Sequence, residues 1–151
     1  MYVKIWYGWY FRNWGMTMHK HTLTLLRFSA LFAFLGAFLG SHMAGNGSYL
    51  FRPIHAHMLV VGWLTLFAWA VYYQVFTIKA KKISVWQVYT GIVGTIGLTS
   101  GMWLHNLKPF DISNTFTMVF YIVGGSILLI SFLLFFITTF FVESPMRQKI
   151  K

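Results

Sequence analysis

The residues of this chain best equipped for chemistry are its six histidines and eight methionines. Imidazole and thioether groups both bind transition-metal ions, and methionine sulfur in particular suits copper. The sequence contains no cysteine, which excludes disulfides, thiolate zinc sites, iron–sulfur clusters and thioether-linked prosthetic groups. Two histidines, His55 and His57, stand two residues apart. On a helix an i, i+2 pair points to faces about 200° apart, so the two rings cannot close on one metal ion from the same helix. Each must reach a different group, a different neighbour or a different subunit, unless both simply hydrogen-bond within the fold.

The elements that carry these side chains are set by composition. Apolar residues make up 58% of the chain and aromatics 21%, whereas charged residues contribute only 9%. A soluble domain carries roughly a quarter charged residues, so the expected class is an all-α membrane protein. Four uncharged or nearly uncharged runs, at about 22–44, 53–78, 83–107 and 112–142, are each long enough to cross a hydrocarbon core, which takes roughly 20 helical residues. Arg27 lies near the start of the first, from where it can snorkel to the surface. The loops between the last three runs are short, so those helices are antiparallel neighbours. The domain plan is an interfacial aromatic and basic segment over 1–21, a four-helix transmembrane domain over 22–142 and a basic tail over 143–151. The first segment carries Tyr2, Trp6, Tyr7, Trp9, Tyr10, Phe11 and Trp14 among basic residues, as suits a stretch lying at lipid headgroups, and it lacks the apolar centre of a signal peptide.

The net charge of +10 is explained by where the charges fall. Lys4, Arg12, Lys20, Arg27, Lys79, Lys81, Lys82, Arg147, Lys149 and Lys151 share one side, against Arg52 and Lys108 on the other, which is ten of the twelve basic residues. By the positive-inside rule both termini are expected in the cytoplasm, giving a multi-pass protein of the cell's inner membrane. The basic balance then implies anionic lipid as a partner, with no role for nucleic acid. This orientation puts His42, His55, His57 and His105, with Met43, Met58, Met102 and Met118, in one layer near the outer surface; His19 and His21 fall on the opposite side. An ionisable side chain at membrane depth is a candidate for function by default. His42 and His105 also have a plainer reading as solvated or hydrogen-bonded helix ends. Gly91, Gly94, Gly97 and Gly101 form a stripe along the third helix that most often means close helix packing, the other reading being approach of a flat cofactor. Phe132, Phe135 and Phe136 are expected to face lipid or neighbouring helices.

At Arg52-Pro53-Ile54-His55-Ala56-His57, continuing Met58-Leu59-Val60-Val61-Gly62-Trp63, the chain resembles the catalytic subunit of the haem-copper oxidase superfamily, which includes the nitric oxide reductases. The likeness spans roughly Arg52 to Val75. In the superfamily an Arg-Pro-Leu-His-like entry to the second helix carries an axial ligand of the low-spin haem, and His55 falls on that ligand. A His-x-His-x-x-x-x-Gly-Trp-like pattern on a later helix supplies ligands to both haems, and His55, His57, Gly62 and Trp63 fit that pattern as well. One helix here thus looks like two helices of a twelve-helix protein built as three arcs of four. The resemblance implies a homotrimer that rebuilds such a ring, with a non-covalent b-type haem at each interface held by His55 of one subunit and His57 of the next. Arg52, one turn before His55, is then a partner for a haem propionate, or else for a lipid headgroup. The superfamily's copper-site histidines, cross-linked side chain and proton channels sit on helices this chain lacks.

The function so implied is electron transfer or handling of nitric oxide or oxygen. If the protein is an enzyme, it is an oxidoreductase of the respiratory or nitric oxide reductase type. With only two carboxylates in the chain, Asp111 and Glu143, a proton pump is not expected. The alternative from a different class is a copper-binding, trafficking or assembly protein using the outer layer, with His42, Met43, Met58, Met102 and His105 as ligands. A noncatalytic subunit that only packs against a larger complex is the third reading, which the paired histidines disfavour.

Overall fold

In a computed structural model, residues 20–143 form four long helices joined by short loops. Helix α1 spans Lys20–Asn46, α2 Arg52–Val75, α3 Lys81–Leu107 and α4 Asn114–Thr139. The interfacial segment expected over 1–21 falls almost wholly outside the described residues, as does the tail after Glu143. Alternating directions place the Lys79–Lys82 turn at one end of the bundle and all of His42, His55, His57 and His105 at the other. These are called below the lysine end and the histidine end.

The stops follow from backbone chemistry. Gly47 ends α1 with a φ of 60°, a left-handed conformation in which glycine has no Cβ to clash. Pro53 sits in the first turn of α2, where its missing N–H has no partner to lose. Lys108 closes α3 in the left-handed region at φ 45°, and Pro109 prevents the helix from continuing. Asp111 is exposed in the loop before α4, and Ser113 at the N-cap makes no side-chain capping bond. Helix α2 stops at Val75 and α4 at Thr139, each about three residues short of the apolar runs: Phe76 is extended, and residues 140–141 form a turn in which Phe140 N–H bonds the Ile137 carbonyl. There Ile78 pairs with Val142 in an isolated antiparallel bridge, held by Lys79 N–H to the Phe141 carbonyl at 3.0 Å and Glu143 N–H to the Thr77 carbonyl at 2.9 Å.

Three of the helices, α1, α2 and α4, are long and apolar enough to cross a membrane. Helix α3 matches them in length but carries more polar residues. Its hydroxyls are turned back onto its own carbonyls: Thr90 donates to Trp86 at 2.7 Å, Thr95 to Gly91 at 2.7 Å and Thr99 to Thr95 at 2.8 Å. Such back-bonding satisfies the hydroxyl without water, which lets a hydroxyl-rich helix lie among apolar neighbours. The outer faces of the bundle are apolar: Phe34 is 68% exposed and Leu129 71%, the reverse of a soluble protein's surface.

The helices pack as two hairpins, α1 with α2 and α3 with α4, with fewer contacts between the pairs. In the second hairpin the glycine stripe is a packing surface. A Cβ at Gly94 would lie 2.5 Å from the Leu128 nitrogen, one at Gly101 2.6 Å from the Tyr121 Cα, and Gly97 faces Gly124 across the crossing. The hairpins join toward the lysine end. Trp69 of α2 lies over Gly91 and meets Phe132 and Phe135 of α4 at ring separations of 5.1 and 5.5 Å. Beside it a buried polar network ties three helices together: the Tyr73 hydroxyl donates to Gln87 Oε1 at 2.9 Å, Gln87 Nε2 donates to Ser131 Oγ at 3.3 Å, and Ser131 returns a bond to the Gln87 carbonyl at 2.8 Å.

Candidate functional site

Helix α2 is not uniform. Arg52–His57 is one and a half turns of α-helix, Met58–Thr65 is π-helix, and α-helix resumes over Leu66–Val75. The uninterrupted apolar run predicts a continuous α-helix here. The Thr65 hydroxyl bonds the carbonyl of Val60, five residues back, at 2.9 Å and so caps the widened turns. Segments of π-helix cluster at functional sites, and here the segment begins directly after His57. Both histidines precede it, so their separation around the helix is still that of an α-helix.

His55 turns toward α1. Its Nδ1 lies 2.7 Å from the carbonyl oxygen of Gly36, and its ring covers Gly40 so closely that a Cβ there would stand 2.8 Å from Cε1. Gly36 and Gly40 are one turn apart, and the same groove takes Leu59 over Gly36. On the facing helix Gly62 admits the Phe32 ring. His57 folds back along its own helix, with Nδ1 2.8 Å from the Pro53 carbonyl at the helix surface. A carbonyl oxygen only accepts, so in both histidines Nδ1 carries the proton, and in the neutral ring Nε2 keeps its lone pair. That is the tautomer of an imidazole prepared to ligate through Nε2, with the Nδ1–H bond fixing the ring.

His105 follows the same rule by a different route. Thr117 donates its hydroxyl proton to the Asn114 carbonyl at 3.0 Å, so its oxygen accepts from His105 Nδ1 at 3.2 Å, again sparing Nε2. The ring also stacks on Tyr121 at 6.3 Å and 18°. His42 differs: its Nε2 accepts from the Asn46 amide at 2.9 Å, and its ring meets Phe51 edge-on at the exposed end of α1. His42 and His105 are therefore both hydrogen-bonded helix ends, and of the two His105 alone has no hydrogen bond at Nε2 among the described residues.

The remaining candidates are scattered by burial. Met43 and Met102 are buried, Met118 is 44% exposed, and Met58 lines a groove that opens where the hairpins part. Arg52 is exposed at the start of α2, its backbone N–H bonded to the Tyr49 carbonyl at 3.0 Å. Among the described residues no three histidine or acidic side chains gather into a metal-binding cluster. The groove, of about 450 Å³, is walled by apolar side chains including Phe38 of α1, Ile54 and Met58 of α2 and Trp103 of α3. Neither His55 nor His57 lines it. For a haem, then, the donor chemistry fits, since two imidazoles are held with Nε2 available, but the walls of one chain do not enclose both donors around one group.

Two features of this site escape the sequence reading. The Gly36-Ala37-Phe38-Leu39-Gly40 segment is a small-xxx-small pattern that signals a close helix approach, and it is what receives His55. The π-helix has no comparable signal in Met58–Thr65, a plain apolar run. Compared with known protein families, with curated proteins and with solved structures, the chain has no significant match.

Proposed function

We propose that this chain is an integral-membrane b-type haem protein related to the catalytic subunit of the haem-copper oxidases and nitric oxide reductases. The observation that carries the reading is the state of His55: Nδ1 bonded to a backbone carbonyl of a neighbouring helix and Nε2 left as a ligand. His57 is prepared in the same way on another side of the helix. Since one chain does not bring the two to one group, the haem belongs between subunits, with His55 of one protomer and His57 of the next as axial ligands in a homotrimer. Arg52, exposed at the same end, is placed to meet a propionate. Iron with both axial positions filled by imidazole carries electrons more naturally than it reduces a gas, so electron transfer is the role the ligand set favours.

The test is the haem content of the purified protein and of its variants. Replacing His55 or His57 by alanine is expected to abolish the Soret band while leaving the protein in the membrane. A variant that retains full haem removes that histidine from the site. The detergent-corrected mass is expected to be that of a trimer; haem-loaded monomers overturn the intersubunit arrangement. A second reading, copper handling at the histidine end, is favoured by His105 and Met102, one turn apart on α3 with the His105 Nε2 unspent. It predicts a colourless reduced protein that contains copper by elemental analysis.

A further inference from the structure

At the lysine end, between α1, the 76–80 turn and the start of α3, lies a cavity of about 350 Å³. Its lining is divided. Phe76, Val85 and Val88 supply apolar wall, and His21, Lys81 and Ser84 bring an imidazole, an ammonium and a hydroxyl to the same space. Of the three lysines in the turn, only Lys81 faces this cavity. Neither of the chain's two carboxylates lines it. The His21 ring meets Tyr89 edge-on at 6.1 Å, and among the described residues no hydrogen bond occupies its nitrogens. Ser84 donates to the Ala80 carbonyl across 3.2 Å, long for a hydroxyl bond and readily exchanged for a better acceptor. One wall is pinned in place, because the turn is held to the end of α4 by the two backbone bonds of the Ile78–Val142 bridge.

We propose that this cavity is a binding site for a phosphate-bearing headgroup, with the phosphate held by Lys81, His21 and Ser84 and the attached hydrocarbon lying along Phe76, Val85 and Val88. The chemistry is that of a charge-assisted hydrogen-bond site with an apolar floor. A phospholipid of the surrounding membrane satisfies both halves, and a free phosphate only the first. The proposal rests on the chain lying in a membrane and is independent of the haem reading. Lys79 and Lys82 give it an internal control, since they bring the same charge to the same turn without lining the cavity.

The experiment is native mass spectrometry of the full chain released from detergent, in the presence of phosphatidylglycerol, phosphatidylcholine or inorganic phosphate. Retained lipid adducts are expected for the phospholipids, strongest for the anionic one. Lys81→Gln and His21→Ala should each weaken them about fivefold or more, and Lys79→Gln and Lys82→Gln should weaken them less than twofold. Lys81 is exposed, so its replacement leaves the fold intact. Equal loss for all three lysine variants overturns the site and leaves only general attraction between a basic turn and anionic lipid. Inorganic phosphate competing at equal affinity, with the same dependence on Lys81, keeps the phosphate site and names the free ion as its occupant.

Discussion

The two hairpins are both built on glycine, and they use it for opposite purposes. Between α3 and α4 the glycines let backbone meet backbone, with Gly97 on Gly124 and Gly94 against the Leu128 nitrogen, and nothing larger than a hydrogen atom fits between. Between α1 and α2 the glycines make room for side chains: Gly36 and Gly40 receive Leu59 and the His55 ring, and Gly62 receives Phe32. The first kind of contact is a rivet, with no space for a ligand. The second holds the His55 ring against Gly36 and Gly40 of α1, and the π-helical segment lies in the same hairpin. Backbone-to-backbone packing is concentrated in α3–α4, and the glycines that receive side chains lie in α1–α2.

Substitutions that enlarge the glycines separate the two roles. Gly94→Val or Gly124→Val must push backbone away from backbone, and the expected cost is about 3 kcal/mol, the upper end of the range for overpacking, read as lost thermal stability in detergent. Gly40→Val meets the His55 ring first, a side chain that can swing aside where a backbone cannot. The fold is then expected to persist while haem occupancy falls about 10- to 100-fold, the loss typical when a ligand's orienting contacts are removed. If Gly40→Val unfolds the protein as Gly94→Val does, the two interfaces are alike and the contrast fails.

Much of this was legible beforehand, and the reasons differ by element. The four helices follow from the scarcity of charge, and the glycine stripe of α3 was read as packing, which the Leu128, Gly124 and Tyr121 contacts show it to be. The opposed directions of His55 and His57 follow from helical geometry alone. The ends of α2 and α4 fall earlier than the apolar runs predict, because the residues after Val75 and Thr139 are as apolar as those before, and the pairing of Ile78 with Val142 across the two helices leaves no mark in the composition. The π-helix leaves no trace in composition. Gln87 stood in plain sight as a polar residue inside an apolar run, yet its partners Tyr73 and Ser131 lie on two other helices, and no spacing along the chain reveals them.

That network gives a smaller effect that sharpens the comparison, since it spans both hairpins. Gln87→Leu is expected to cost about 1–2 kcal/mol of stability, the range for interhelical hydrogen bonds within a bundle, and to leave haem binding unchanged. The least effect is expected from Thr117→Val. It removes the acceptor of His105 Nδ1 at the tip of the rivet-like hairpin, costing about 0.5–1.5 kcal/mol, with no change in the absorption spectrum if His105 holds no haem. A spectral change in Thr117→Val would move the site from α2 to α3.

The central claim, that the imidazoles of α2 are haem ligands, is tested most directly by the absorption spectrum of the purified protein from haem-replete cells, oxidised, dithionite-reduced, and reduced under carbon monoxide. Two axial imidazoles predict a Soret band and sharp reduced α and β bands that carbon monoxide leaves unshifted. A protein with no haem absorption in any of the three states contradicts the account.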